Sequence, residues 1–441
     1  MNPQRFLRLV SGAMAALGIS AAAIVALNLR GEDPLPSAET LKPTAALVAQ
    51  GEYLTRVGNC MACHTVQGGA PFAGGRGIET PFGVVYSSNL TPDKATGLGA
   101  WTSAEFWRAM HNGRGKDGRL LYPAFPYTSY THVTREDSDA IFAYLQSLPP
   151  VAQANKAHAL RFPYSTQAAL GVWRALFFTP ADVAQPAASA PQALATAQVP
   201  DYQRGAYLVN GLGHCAACHT PRNSLGAEQQ GQALAGGLIP VQNWLAPALT
   251  DAGQAGVQRW PQADVVALLK TGVAPQASVI GPMAEVVFRS TQYLSDADAR
   301  AMAVYLQALP QHAATPAKQA VAPASVMERG AKVYEAQCAQ CHGAQGQGAK
   351  DEAGQPAFPP LAGNRAVVLA DPTNLVRVVL QGGYLPATAG NPRPHGMPPF
   401  QHLLGDEDVA AVATFVRNSW GNQAAGVGTI EVYRARERRS P

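Results

Sequence analysis

The longest apolar stretch of the chain is at its N-terminus. Residues 9–29 contain no charged side chain, and they follow Arg5 and Arg8 and precede Arg30. A helix of this length can cross a bilayer, which needs about 20 apolar residues. Positive flanking residues tend to stay on the cytoplasmic side, so the rest of the chain is expected on the periplasmic side of the inner membrane. The pattern predicts a transmembrane anchor over residues 1–30, with a cleaved signal peptide as the alternative.

Three later segments have the spacing of amphipathic helices. In each, apolar residues stand at positions i, i+3, i+4 and i+7, which places them on one helical face. Acidic residues near the start of each segment suit the positive end of a helix. The stretches between them are rich in Gly and Pro and sustain no strand alternation, so the pattern predicts an all-α chain of three similar units. The helical positions are Ile141, Tyr144, Leu145 and Leu148, then Met302, Tyr305, Leu306 and Leu309, and finally Val409, Val412, Ala413 and Val416.

All six cysteines belong to three copies of a CxxCH motif, one ahead of each of these helices. Two thiols at this spacing can each bond to a vinyl group of one haem, and the histidine that follows can bind its iron. A redox dithiol or a zinc site also uses CxxC, but neither requires His at the next position in every copy. The motifs therefore predict three covalently attached haems c. The attachment residues are Cys60, Cys63, Cys215, Cys218, Cys338 and Cys341, and the axial histidines are His64, His219 and His342.

The repeats also divide the chain. We expect three tandem class I cytochrome c-type domains joined by Ala- and Pro-rich linkers, whose composition suits extended tethers. Charged residues make up 14% of the chain, against about 25% in typical soluble domains. No basic stripe runs through the body, so nucleic acid is not an expected partner. The predicted domains are residues 45–184, 201–309 and 326–422, the linkers are residues 185–200 and 310–325, and a basic tail covers residues 423–441.

A second axial ligand is expected between each motif and its closing helix. Met397 lies in the segment NPRPHGMPPF of the third domain, and Met283 lies in IGPMA of the second. A stiff Gly- and Pro-rich loop can hold a thioether against iron, so both are predicted as ligands. A methionine elsewhere is more often core filler, which is the interpretation of Met302 and Met327.

The first domain has Phe125 in the corresponding loop, within LYPAFPYTSY. The candidates for the sixth ligand of its haem are then Met110, His111 and His132, and an open coordination position is a fourth possibility. Ligation by two histidines would lower the reduction potential relative to a His–Met pair, whereas an open position would let a small ligand bind. The alternatives remain open from the sequence.

The longer motifs resemble those of the triheme cytochrome c subunits of bacterial membrane-bound, quinone-linked dehydrogenases for alcohol, gluconate, sorbitol and fructose. The resemblance covers residues 45–422 and is carried by TPFG with NLTPD, GHCAACHTPRN, NPRP with GMPPF, and NSWGN. It implies an electron-transfer subunit that accepts electrons from a catalytic dehydrogenase subunit of flavin, PQQ or molybdenum type. The haems would then pass these electrons to ubiquinone or another respiratory acceptor.

Phe125 departs from the alcohol-type subunits, which have the ligand Met in a PAMPY stretch. The variant PAFPY is found in cytochrome partners of molybdenum-containing aldehyde or heteroaromatic dehydrogenases, so such a partner is an alternative. A free-standing, membrane-tethered electron shuttle and an enzyme working at an open first haem are two further hypotheses. The chain contains no Gly-rich dinucleotide-binding fingerprint that follows a strand, no P-loop and no HExxH motif, and no catalytic residue is predicted.

Overall fold

The computed structural model describes most of the chain in two compact units. The first unit comprises residues 1–55, 63–185 and 224–227, and the second comprises residues 56–62, 186–223 and 228–441. Residues 312–321, which form most of the predicted second linker, lie outside the described residues. The described residues are 3–32, 34–35, 41–185, 187–311, 322–352, 354 and 356–437.

The N-terminal part of the chain begins with the predicted apolar helix, α1 (Pro3–Leu29). Its stretch Leu9–Leu29 is long and apolar enough to cross a membrane, and none of it is buried in the structure. The closing helix of the first predicted domain, α6, begins as expected, because Thr134 caps it and two acidic residues occupy its first turn. The other helices here are α2 (Ala45–Val57), α3 (Cys60–His64), α4 (Ser103–Asn112), α5 (Tyr127–Tyr130), α6 (Arg135–Ser147) and α7 (Gln167–Phe177).

The expectation of an all-α chain missed a set of short strands. In the first unit, β1 (Gly77–Thr80) and β2 (Gly83–Tyr86) form an antiparallel hairpin, and β3 (Ala159–Leu160) pairs with β2. Gly83 has a φ of +125°, and a Cβ there would lie 2.3 Å from the carbonyl oxygen of Ala159, so the turn needs glycine. Strands of two to four residues are too short to leave an alternating pattern in the sequence.

The second unit contains helices that follow the same order around each motif, and its strands pair as four antiparallel hairpins. Its helices are α8 (Val199–Tyr207), α9 (Ala216–His219), α10 (Gln262–Thr271), α11 (Pro282–Arg289), α12 (Asp296–Gln307), α13 (Ala324–Gln337), α14 (Ala339–His342), α15 (Arg365–Val368), α16 (Thr373–Gln381), α17 (Asp406–Arg417) and α18 (Thr429–Glu437). Its strands are β4 (Gly237–Ile239), β5 (Trp244–Ala246), β6 (Val273–Ala274), β7 (Ala277–Ser278), β8 (Ala349–Lys350), β9 (Pro356–Phe358), β10 (Gly383–Tyr384) and β11 (Gly396–Met397). The first predicted linker, residues 185–200, ends in a 3-10 turn over Thr196–Gln198.

The opening and closing helices of each predicted domain cross at a glycine. A Cβ on Gly51 would lie 1.9 Å from a backbone oxygen of α6, and the corresponding distance is 2.0 Å from Gly205 to α12 and 2.3 Å from Gly330 to α17. No side chain fits at such distances, so the two backbones can meet only where glycine is present. The helix pairs form the frame that holds each CxxCH motif. The oxygens belong to Ala140, Ala301 and Ala411.

The predicted basic tail at residues 423–441 contains a helix that was not predicted from the sequence. Val432 and Ala435 of α18 are buried in an apolar cluster with residues of α16 and α17. Arg436 donates from Nε to Oδ1 of Asp406 at 2.8 Å. The described part of the tail is therefore folded against the third predicted domain rather than solvated on all sides.

Candidate haem-binding sites

A short helix forms at each CxxCH motif: α3 contains the whole first motif, whereas Cys215 and Cys338 are the N-cap residues of α9 and α14. In the first two copies the preceding residue, Asn59 or His214, has a positive φ, which turns the chain from the opening helix into the motif. All six cysteines are free of disulfides and lie at half-buried or exposed positions.

Each of the three motif histidines makes the same kind of hydrogen bond, from its ring to a backbone oxygen. Nδ1 donates to the backbone oxygen of Ser88 at 2.7 Å in His64, of Pro247 at 2.8 Å in His219, and of Pro359 at 3.0 Å in His342. A proton held on Nδ1 leaves the lone pair of Nε2 available for a metal ion. The donor set of each motif, two thiols and one such imidazole, therefore fits a covalently attached haem.

The pKa values of these histidines support the same assignment. Burial lowers the pKa of His64, His219 and His342, and the hydrogen bond to the backbone opposes that effect only in part. The rings are therefore held neutral at physiological pH, and the neutral imidazole is the form that binds iron.

The third site is the most completely defined. A cavity of about 790 Å³, including its open mouth, is lined by His342 and by both thiols of the third motif. Met397 lines the same cavity, so the structure brings the two predicted axial ligands of this site together. The methionine is held by the β10–β11 hairpin, in which it pairs with Gly383. A largely apolar lining with a few convergent polar groups is typical of a cofactor site.

Met283 of the second site lies at the start of α11 rather than within a loop, and it is half-buried. The preceding Gly281 has a φ of +55°, and a Cβ there would lie 2.8 Å from the indole ring of Trp244. The residues just before it, 278–281, line the cavity of the third site. Residues 278–283 therefore carry both part of the lining of the third cavity and the proposed ligand of the second site, and we call them the shared wall. It was not predicted from the sequence, because neither motif nor spacing indicates which loop covers a neighbouring domain.

The candidate ligands of the first site have different surroundings. Met110 and His111 are side by side near the end of α4, where both are buried. The ring of His111 stacks on Trp107, with centroids 4.6 Å apart. Burial lowers the pKa of His132, which is half-buried. The loop position is occupied by Phe125, whose ring lies 5.4 Å from that of Tyr130.

Comparison with known proteins shows which family the chain belongs to. The model of the cytochrome c family matches residues 48–149, 202–310 and 327–420, and each match contains one CxxCH motif. The chain belongs to the cytochrome c family. Haem c is therefore its cofactor, and the resemblance inferred from the sequence motifs is confirmed by its similarity to individual cytochromes.

Three relatives of this cytochrome are similar over most of its length. The cytochrome c subunit of alcohol dehydrogenase (quinone) from Gluconacetobacter polyoxogenes is 38% identical over 426 residues, which is 92% of this chain and 87% of that protein. The gluconate 2-dehydrogenase cytochrome c subunit of Pantoea cypripedii is 39% identical over 401 residues, 88% of each chain. A nicotinate dehydrogenase subunit of Pseudomonas putida is 40% identical over 384 residues, 85% of this chain but 30% of that protein.

Proposed function

We propose that this cytochrome is the triheme electron-transfer subunit of a membrane-bound dehydrogenase complex. It has three tandem class I domains, faces the periplasm, and passes electrons from a catalytic subunit to ubiquinone or another respiratory acceptor. The observation that carries the proposal is its similarity, over about nine-tenths of the chain, to the cytochrome c subunits of alcohol dehydrogenase (quinone) and gluconate 2-dehydrogenase. The proposal takes α1, which is long and apolar enough to cross a membrane, as an uncleaved anchor.

The residues of the chain have separate tasks in this proposal. Haem iron supplies one-electron redox chemistry. The six motif cysteines would hold the three haems, and His64, His219 and His342 would bind the irons through Nε2. Met283 and Met397 would supply the thioethers for the second and third haems. The backbone oxygens opposite each Nδ1 fix the orientation and tautomer of the imidazoles.

For the first haem we propose His111 or Met110 as the sixth ligand, since both are buried and neighbours on α4. Phe125 favours a second candidate for the partner, a molybdenum-containing heteroaromatic dehydrogenase. The similarity to the nicotinate dehydrogenase subunit, a protein whose name states such a substrate, supports this candidate. In either case this chain supplies the electron path and the partner supplies the substrate site.

Purification from solubilised membranes tests the proposal. A C-terminally tagged full-length chain should retain a catalytic subunit at a fixed ratio, and the substrate of that subunit should reduce the haems of the purified complex. The identity of the retained subunit decides between the flavin, PQQ and molybdenum classes. Recovery of the cytochrome alone, without dehydrogenase activity, would instead support the free-standing shuttle.

A further inference from the structure

Helix α7 is apolar on its exposed side as well as on its buried side, where Leu170 is buried together with Arg174. Its exposed face consists of Ala168, Val172 and Leu176, which stand four residues apart, and Leu176 is 62% exposed. The opposite face is buried and carries Arg174, which is 3% exposed. A surface helix of a soluble domain turns its apolar stripe inward, so the outer face of α7 is suited to an apolar environment.

The segment that leads into α7 extends the same surface. Phe162 is 83% exposed and Tyr164 is 38% exposed. Aromatic residues of this kind are enriched where a protein meets the boundary between lipid and water. Together with the outer face of α7 they make up a set of exposed side chains within 15 residues, which we call the α7 patch: Phe162, Tyr164, Ala168, Val172 and Leu176.

The inner face of α7 is fixed to the end of the candidate membrane helix. Arg174 donates from Nε to Oδ1 of Asn28 at 3.0 Å, and Nδ2 of Asn28 donates to the oxygen of Gly171 at 2.9 Å. A Cβ on Gly171 would lie 3.9 Å from a methyl carbon of Ile24. These contacts hold α7 at the last turn of α1, where an apolar span leaves the bilayer.

The residues that follow α1 are tied to the same domain by polar contacts. Arg114 donates from Nε to Oε2 of Glu32 at 2.8 Å and from Nη2 to the oxygen of Asn28 at 3.1 Å. Asn112 donates to the oxygen of Gly31 at 3.0 Å. The end of α1 is thus tied to the first unit, and the position of α7 relative to α1 is set by direct contact rather than by a flexible linker.

We propose that the α7 patch binds the membrane surface, with α7 lying in the plane between headgroups and acyl chains. The chemical partner is the lipid itself, because the contacts with Ile24 and Asn28 hold α7 at the last turn of the helix that is proposed to span the bilayer. Such a helix buries its apolar face about 5–10 Å into the boundary region. The first haem domain would then be held at the membrane surface. The inference rests on the anchor proposed above.

Accessibility of an introduced thiol tests this. Leu176→Cys is compared with Leu403→Cys, whose parent leucine has nearly the same exposure, 63%. The full-length holocytochrome is reconstituted without other subunits into phosphatidylethanolamine–phosphatidylglycerol vesicles and treated with a water-soluble maleimide. Burial in lipid should slow labelling of Leu176→Cys by about tenfold or more relative to Leu403→Cys. A lipid-borne photoreactive probe should attach within residues 162–177.

The outcomes separate this inference from the anchor. Extraction of the vesicles with carbonate first establishes whether α1 is integrated; an extracted or cleaved chain overturns both proposals. Integration with equal labelling of the two thiols overturns the α7 proposal alone. If Leu176→Cys is labelled freely in vesicles but protected in native membranes, a partner protein covers the patch and the lipid assignment is wrong.

Discussion

At the residue scale, the motif histidines are oriented by backbone oxygens rather than by side chains. The acceptors belong to Ser88, Pro247 and Pro359, and in each case the backbone carbonyl accepts the hydrogen bond. The ligands themselves could be predicted from the sequence because CxxCH places every donor within five consecutive residues. The acceptors could not, because each depends on how a distant loop folds back onto the motif. Phe125 shows the same limit. Its presence excludes a methionine ligand for the first haem at that position, but it does not indicate which other residue binds the iron.

Replacing Met397 with His should lower the reduction potential of one haem, because imidazole stabilises the oxidised iron more than a thioether does. Potentiometric titration of the full-length protein, followed by optical spectra, measures the three potentials. Met302→Leu is the matched control, since Met302 is a buried methionine of α12 that is 3% exposed and is interpreted as packing. Three unchanged potentials in Met397→His would show that Met397 does not bind iron.

Removal of the sixth ligand of the first haem should open one iron in three to carbon monoxide. One of the two variants His111→Ala and Met110→Leu is expected to have this effect in the reduced protein, namely the variant that removes the actual imidazole or thioether ligand from the iron. Carbon monoxide difference spectra measure the fraction of haem that reacts. If neither variant reacts, both proposed ligands are wrong, and reaction of the unaltered protein would indicate an open first site.

At the scale of elements, the helix pairs of the three domains are built on the same close crossing. The closing helices α6, α12 and α17 are confirmed where the apolar spacing predicted them, although α12 and α17 are buried on more than the one predicted face. Helix α18 was missed because its buried residues, Val432 and Ala435, are two among mostly polar neighbours. The two-residue strands were missed because they rest on backbone pairing rather than on side-chain pattern.

The crossing itself can be tested in the third domain. Gly330→Ala places a Cβ 2.3 Å from the oxygen of Ala411, so α13 and α17 must separate. We expect the free energy of unfolding to fall by roughly 3 kcal/mol, the upper range of overpacking effects. Denaturant unfolding of the haem-loaded protein measures this. Gly390→Ala in the same domain is the control, because nothing lies within 4 Å of its added Cβ; equal losses would contradict the role of the crossing.

At the scale of the whole molecule, the second and third predicted domains share structure around their haem sites. The backbone of Leu245 and the side-chain amide of Asn374 exchange two hydrogen bonds, at 2.9 and 2.7 Å, which join β5 to α16. Nδ2 of Asn364 donates to Oγ of Ser278 at 3.1 Å. Residues 278–281 line the third cavity and lead directly into Met283. The domain repeats follow from the sequence, but this sharing does not, because it joins surfaces that no motif marks.

The shared wall predicts that one substitution will affect two haems. Gly281→Ala forces a Cβ to within 2.8 Å of the Trp244 ring at a φ of +55°, so residues 278–283 must shift. That shift moves the proposed ligand Met283 and the lining of the third cavity together, and redox titration should show two changed potentials and one unchanged. Gly231→Ala is the matched control, because it carries a similar φ of +76° with nothing within 4 Å of the added Cβ. A change confined to one haem would mean that the wall is not shared in function, since a rigid segment contacting both sites cannot move at one alone.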